Sequence, residues 1–115
     1  MMQHIDSILD EVIIRLRAVG LEKLILFGSY AHGTPNDDSD IDLLVVTNGQ
    51  TIPQTFKEKN AIYQKFAGRI TAIQKKVPID MIVHTKAMHE KFIDMKSIFS
   101  RRIISEGKIL YENSH

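Results

Sequence analysis

Ile5, Ile8, Leu9, Val12, Ile13 and Leu16 fall at i, i+3, i+4, i+7, i+8 and i+11. That spacing lines one face of a helix, and Gly20 is placed to end it. Leu24-Ile25-Leu26-Phe27 is a short apolar run stopped by Gly28, the pattern of a buried strand. Residues 28–39 hold Gly28, Gly33, Pro35, Asn36, Ser29 and Ser39, which predicts a loop with one helical turn around Ser29 to His32. Ile41 to Val46 predicts a second buried strand, and Asn48 to Gln54 a loop with Gly49 and Pro53. Phe56, Tyr63, Phe66, Ile70 and Ile73 then recur at helical spacing, so a long amphipathic helix is expected over 55–75. Pro78 opens a third strand, Ile79 to His84. Residues 86–106 are helical in pattern, with Met88, Phe92, Met95, Phe99 and Ile103 on one stripe. Gly107 ends that segment, and Lys108 to Tyr111 reads as a short edge strand. Tyr63, Phe66 and the methionine stripe are expected in the core.

Helices alternating with strands argue for an α/β-type sheet of two or three layers. The chain has 115 residues, which suits one small domain spanning 1–115. A hydrophobic content of 43% is enough for a core and argues against disorder. The net charge of +1 does not mark a nucleic-acid binder, and none is expected as a direct partner. Charge is nevertheless unevenly spread. Asp37, Asp38, Asp40 and Asp42 crowd one segment, and Lys57, Lys59, Lys65, Arg69, Lys75 and Lys76 a later one. The basic set is most simply the solvated face of its helix, though it could steer an anionic partner. The absence of cysteine excludes disulfides and thiolate metal sites and fits a cytoplasmic setting. No signal peptide or membrane span is expected.

Candidate chemistry centres on Asp40 and Asp42. Two apart on a strand, they point to one face. Adjacent carboxylates repel unless a cation lies between them, and oxygen-only ligands suit Mg²⁺. Taken alone, the pair is more simply explained as a solvated strand entrance, with Ser39 and Asp40 as turn residues. Asp80 stands alone in the apolar pattern Val77-Pro78-Ile79-Asp80-Met81-Ile82-Val83. A buried carboxylate needs a partner. A neighbouring strand could bring it beside Asp40 and Asp42, making a three-carboxylate cluster for a divalent ion. The alternatives are a bond to Arg or Lys, or exposure on an edge strand. Gly28-Ser29 could let backbone approach a phosphate, or could be a strand-ending glycine with serine as helix cap. His4, His32, His84, His89 and His115 show no metal-ligand spacing, and His32 lies in the loop.

Jointly, Gly28-Ser29, ten residues, Asp40-Ile41-Asp42, and a third acid, Asp80, in a later strand resemble the nucleotidyltransferase superfamily. That superfamily includes DNA polymerase β and the kanamycin nucleotidyltransferases. The short length resembles its minimal nucleotidyltransferase (MNT) group, often the MntA-type antitoxin of a pair whose toxin is a HEPN-domain RNase. The resemblance spans essentially the whole chain, including the ending Glu106-Gly107-Lys108-Ile109-Leu110-Tyr111. It implies a mixed sheet of three to four strands flanked by helices, with the acids at one sheet edge. Gly28 and Ser29 would hold the β- and γ-phosphates of ATP, with Ser39 also in the nucleotide site. Asp40 and Asp42 would bind Mg²⁺. Asp80 would complete a second Mg²⁺ site and help deprotonate the attacking hydroxyl, a two-metal arrangement. The acceptor would be a tyrosine of the HEPN toxin, silenced by AMP. His32 departs from the arginine of many relatives, and a neutral imidazole offers less charge to a triphosphate. With no further domain to grip an acceptor, a partner or a second copy would complete that site. The alternatives are an antitoxin that covers its toxin without catalysis, or the catalytic subunit of a small-molecule nucleotidyltransferase.

Overall fold

The computed structural model describes residues 5–36 and 39–113. Its elements follow in the order α1 (Ile5–Arg17), β1 (Leu21–Phe27), α2 (Ser29–His32), β2 (Ile41–Thr47), α3 (Phe56–Gln74), β3 (Ile79–His84), α4 (Lys86–Asp94), α5 (Ile98–Glu106) and β4 (Lys108–Glu112). The four strands form one sheet in the order β3-β2-β1-β4. β1 runs antiparallel to both β2 and β4, whereas β2 and β3 are parallel and joined through α3. The sheet is therefore mixed, with helices on both faces.

Strand alternation assigns the faces. Leu24, Leu26, Ile41, Leu43, Val45, Met81 and Val83 point into the larger core, against Leu9, Val12 and Leu16 of α1 and Phe66, Ile70 and Ile73 of α3. Ile25 and Leu44 point the other way and pack against Ile103 of α5, with Phe27, Ile82 and Phe92 around them. Each fully buried aliphatic side chain contributes about 1.5–3 kcal/mol. The predicted periodicity of α1 thus meets the sheet as expected, while Ile14, off that face, is exposed. α3 starts where Thr55 accepts from the Glu58 N–H and the Glu58 carboxylate reaches back to the Thr55 N–H, a capping box. Its basic residues are exposed, as a solvated face should be.

Two expectations are corrected. The helix predicted over 86–106 is two helices. α4 stops at Met95, Lys96 takes a left-handed φ of 50°, and Ser97 caps α5 by accepting from the Ser100 N–H at 3.1 Å. The turn swings the stripe apart: Phe92 and Ile103 reach the sheet, whereas Met95 is 72% exposed and Phe99 lies at the surface. Phe56, counted on the apolar face of the predicted α3 helix, is 81% exposed.

Candidate active site

Three chain segments meet at one end of the sheet. β1 ends at Phe27, which is the antiparallel register partner of Asp42. Asp42 is in turn the parallel register partner of Asp80. Both acids are the second residue of their strands, so the parallel pairing places them side by side at the same sheet end. They share the face of Leu44 and Ile82, the face covered by α4 and α5. Asp40 precedes β2 and is exposed, Asp42 is half-buried, and Asp80 is exposed on the edge strand. Burial therefore does not force a partner on Asp80, contrary to the apolar pattern of its segment. Among the described residues no basic side chain pairs with it. Strand register alone brings it to Asp42.

Gly28 is fitted to this junction in two ways. Its φ of 74° with ψ of −157° is a conformation that L side chains rarely adopt. A Cβ there would also collide with the Asp42 carboxylate. Backbone and carboxylate are thus in direct contact. Gly28, not Ser29, is the cap of α2, which leaves the half-buried Ser29 in the first turn. Ser39 closes the end of the loop: its hydroxyl accepts from the Asn36 N–H at 2.9 Å, and its N–H donates to the Asn36 carbonyl at 3.1 Å.

Electrostatics single out Asp42. Its pKa is raised above the ordinary carboxylate value, first by burial and then by the charges of Asp80 and Asp40. The acids do not form a finished ligand set: among the described residues no three His, Asp or Glu side chains converge closely enough to hold a metal ion as they stand. Uncompensated carboxylates repel one another, and exposed Asp40 and Asp80 are free to turn toward Asp42. The donor set is hard oxygen throughout, which fits Mg²⁺ and not a thiolate- or imidazole-seeking metal.

A cavity of about 350 Å³ opens beside Gly28 and Ser29, within the size range of small-ligand sites. Its lining includes Phe27, His32, Phe99, Arg102 and Glu106. Glu106 Oε2 holds His32 Nε2 at 3.2 Å and Arg102 Nε at 3.3 Å. Arg102 had no motif to announce it; the only available cue was its place four residues before Glu106, on one helix face. A larger cavity of about 660 Å³, between β1, β4 and the helices above them, is lined by isoleucines together with Lys23, His89, Glu90 and Asp94, and includes none of the candidate acids. His84 and His89 lie at the far end of β3 from Asp80, their Nδ1 atoms 3.4 Å apart. His4 and His115 lie outside the described residues.

The sequence matches the family described as polymerase β, nucleotidyltransferase, over residues 12–115. It is 38% identical over 74 residues to a protein of Methanocaldococcus jannaschii provisionally named protein adenylyltransferase MJ0141, covering 64% of this chain and 70% of that one. Solved structures share the fold, among them two that include a toxin and an antitoxin. One is a toxin–antitoxin structure with AMP-PNP, at a TM-score of 0.57 and 21% identity over 91% of this chain and 73% of that one. The other is a complex of tri-AMPylated Shewanella oneidensis HEPN toxin with MNT antitoxin, at a TM-score of 0.50 and 19% identity over 94% and 72%. The matched span includes all four strands, the Gly28-Ser29 turn and each candidate acid, so the chain belongs to the polymerase β nucleotidyltransferase family.

Proposed function

We propose that this protein transfers AMP from ATP to a tyrosine hydroxyl of a HEPN RNase, with Mg²⁺, and so acts as that toxin's antitoxin in the cytoplasm. The observation that carries the site assignment is the register of β2 and β3, which sets Asp42 beside Asp80 while Gly28 touches the Asp42 carboxylate. The relatives support the acceptor: one bears a protein adenylyltransferase name, and one fold neighbour is an antitoxin bound to an AMPylated HEPN toxin.

Asp40, Asp42 and Asp80 would hold two Mg²⁺ ions. When bound, these would offset the triphosphate charge and stabilise the attacking and leaving oxygens of an in-line displacement. Gly28 admits the phosphate chain close to the backbone, and the Ser29 hydroxyl donates to it; Ser39 keeps the loop before Asp40 closed. Asp80, exposed at the sheet edge, faces the side from which an acceptor arrives and takes the proton of its hydroxyl. The acceptor oxygen bonds to the α-phosphorus, the bond from that phosphorus to the β-phosphate bridge breaks, and pyrophosphate leaves. The chain acts as one domain, and the acceptor surface comes from the partner.

Incubating the protein with Mg²⁺, labelled ATP and a HEPN partner should label the partner, with at least a hundredfold loss of rate in Asp42→Ala, on the order expected for removing a metal ligand. Undiminished labelling by Asp42→Ala would remove this residue from the chemistry. A second function, neutralisation by covering the toxin, is favoured by the apolar corner of Met95 and Ile98, which are 72% and 82% exposed. Full protection by an Asp40→Ala/Asp42→Ala double variant, without transfer, would select it.

A further inference from the structure

The cavity beside Gly28 and Ser29 contains a charge arrangement that the three acids do not explain. One carboxylate, Glu106, sits between two nitrogen-bearing side chains, His32 at 3.2 Å and Arg102 at 3.3 Å. All three line the same cavity as Gly28 and Ser29. Only Nε of Arg102 is engaged; its two Nη groups have no hydrogen-bond partner among the described residues. The Arg102, Glu106 and His32 side chains are 63%, 41% and 41% exposed. Ion pairs this exposed are weak and easily exchanged. Phe27 and Phe99, in edge contact at 5.6 Å, form an apolar wall to the cavity. Such a wall strengthens any charge contact made against it.

We propose that Arg102 and Glu106 form an exchangeable anion clamp, in which the terminal phosphates of a nucleoside triphosphate replace the Glu106 carboxylate on Arg102. The proposal rests on the nucleotidyl-transfer function and deepens it. The acids lie on the Asp42 side of Gly28 and attract the α-phosphate end only through cations. The tail of the triphosphate needs positive charge on the other side of that turn, and Arg102 supplies it. The planar guanidinium can take two phosphate oxygens at once through the groups left unused in the Glu106 pair. A triphosphate tail carries more negative charge than one carboxylate, so it wins the exchange; a nucleoside monophosphate, whose single phosphate stays near the acids, does not reach the clamp. Glu106 thereby holds Arg102 in place before substrate arrives, and Arg102 favours triphosphates over monophosphates.

Binding of fluorescent mant-ATP and mant-AMP in the presence of Mg²⁺, with inorganic tripolyphosphate as competitor, tests this. Arg102→Ala is expected to weaken mant-ATP and tripolyphosphate alike, by about ten- to a hundredfold for a lost charge-assisted pair. Arg102→Lys should recover part of that loss, and mant-AMP binding should stay unchanged. Glu106→Gln, which removes the competing charge, should tighten mant-ATP severalfold. Arg102 and Glu106 are exposed helix residues, so unchanged melting curves are expected and serve as the folding control. Wild-type-like triphosphate binding in Arg102→Ala overturns the clamp and leaves the transferase function standing. Weaker mant-ATP binding in Glu106→Gln overturns the exchange. Failure of the wild-type protein to bind any triphosphate overturns the clamp together with the function it rests on.

Discussion

Asp42 is held at a cost to the fold. Partial burial and the neighbouring Asp80 and Asp40 raise its pKa, so the folded protein binds this proton more tightly than the unfolded chain does. Its favourable contribution is present below the ordinary aspartate pKa and is lost as pH rises through the raised value. At pH 7 the charged residue therefore works against folding. Asp42→Asn should raise the melting temperature at neutral pH while abolishing transfer, a trade expected at a site built for function. Added Mg²⁺ should stabilise the wild type and not this variant, which calorimetry with and without the ion can show. Gly28 makes the complementary case. Gly28→Ala meets both an unfavourable φ and the Asp42 carboxylate, and should cost about 1–3 kcal/mol in urea denaturation.

Among the described elements, the α4–α5 corner is built against local preference. Lys96 occupies a left-handed turn position usually given to glycine. Lys96→Gly should therefore stabilise the protein, by about 0.5–1 kcal/mol, read as a higher midpoint of chemical denaturation. A lower midpoint would show that the lysine side chain contributes more than its backbone strain costs. The corner matters because it lets α5 turn back across the sheet. Ile103 is thereby buried beside Ile25 and Leu44, and Arg102 and Glu106 reach the cavity at Gly28. β4 follows directly and pairs with β1, so the far edge of the sheet is anchored by the same helix.

Across the whole molecule, the second sheet face is stabilised by an aromatic chain that runs from Phe27 through Phe99 and Phe92 to His84 and His89. His84 is pushed down to about 4 by burial, then by His89 and Lys59; His89 is lowered by burial and Lys23, with Glu90 opposing. For His84 the folded value lies below the unfolded one. Its contribution is fully present above about pH 6.5 and is lost as pH falls toward 4. Melting temperature should accordingly decline across that window, and the decline should be shallower in His84→Gln. An unchanged slope would place the acid sensitivity elsewhere. His84 is at the opposite end of β3 from Asp80, so transfer at neutral pH should survive this variant.

Much of this was legible in the order of residues, for physical reasons. Short apolar runs bounded by glycine or proline and the 3.6-residue period are local, and they placed four strands and the helices α1 and α3 close to where they lie. The Gly-Ser turn and the Asp-x-Asp segment lie close together in the sequence, so they could be singled out as candidates without knowing the fold. Asp80 could be suspected only as an oddity in its strand. What joins it to Asp42 is a parallel register across a crossover, a long-range pairing that no local pattern encodes. The break at Lys96 was hidden because the apolar stripe continues in sequence through a turn that tertiary packing imposes. Arg102 and Glu106, surface residues of an ordinary helix by their pattern, acquire meaning only because the corner folds that helix back beside Gly28.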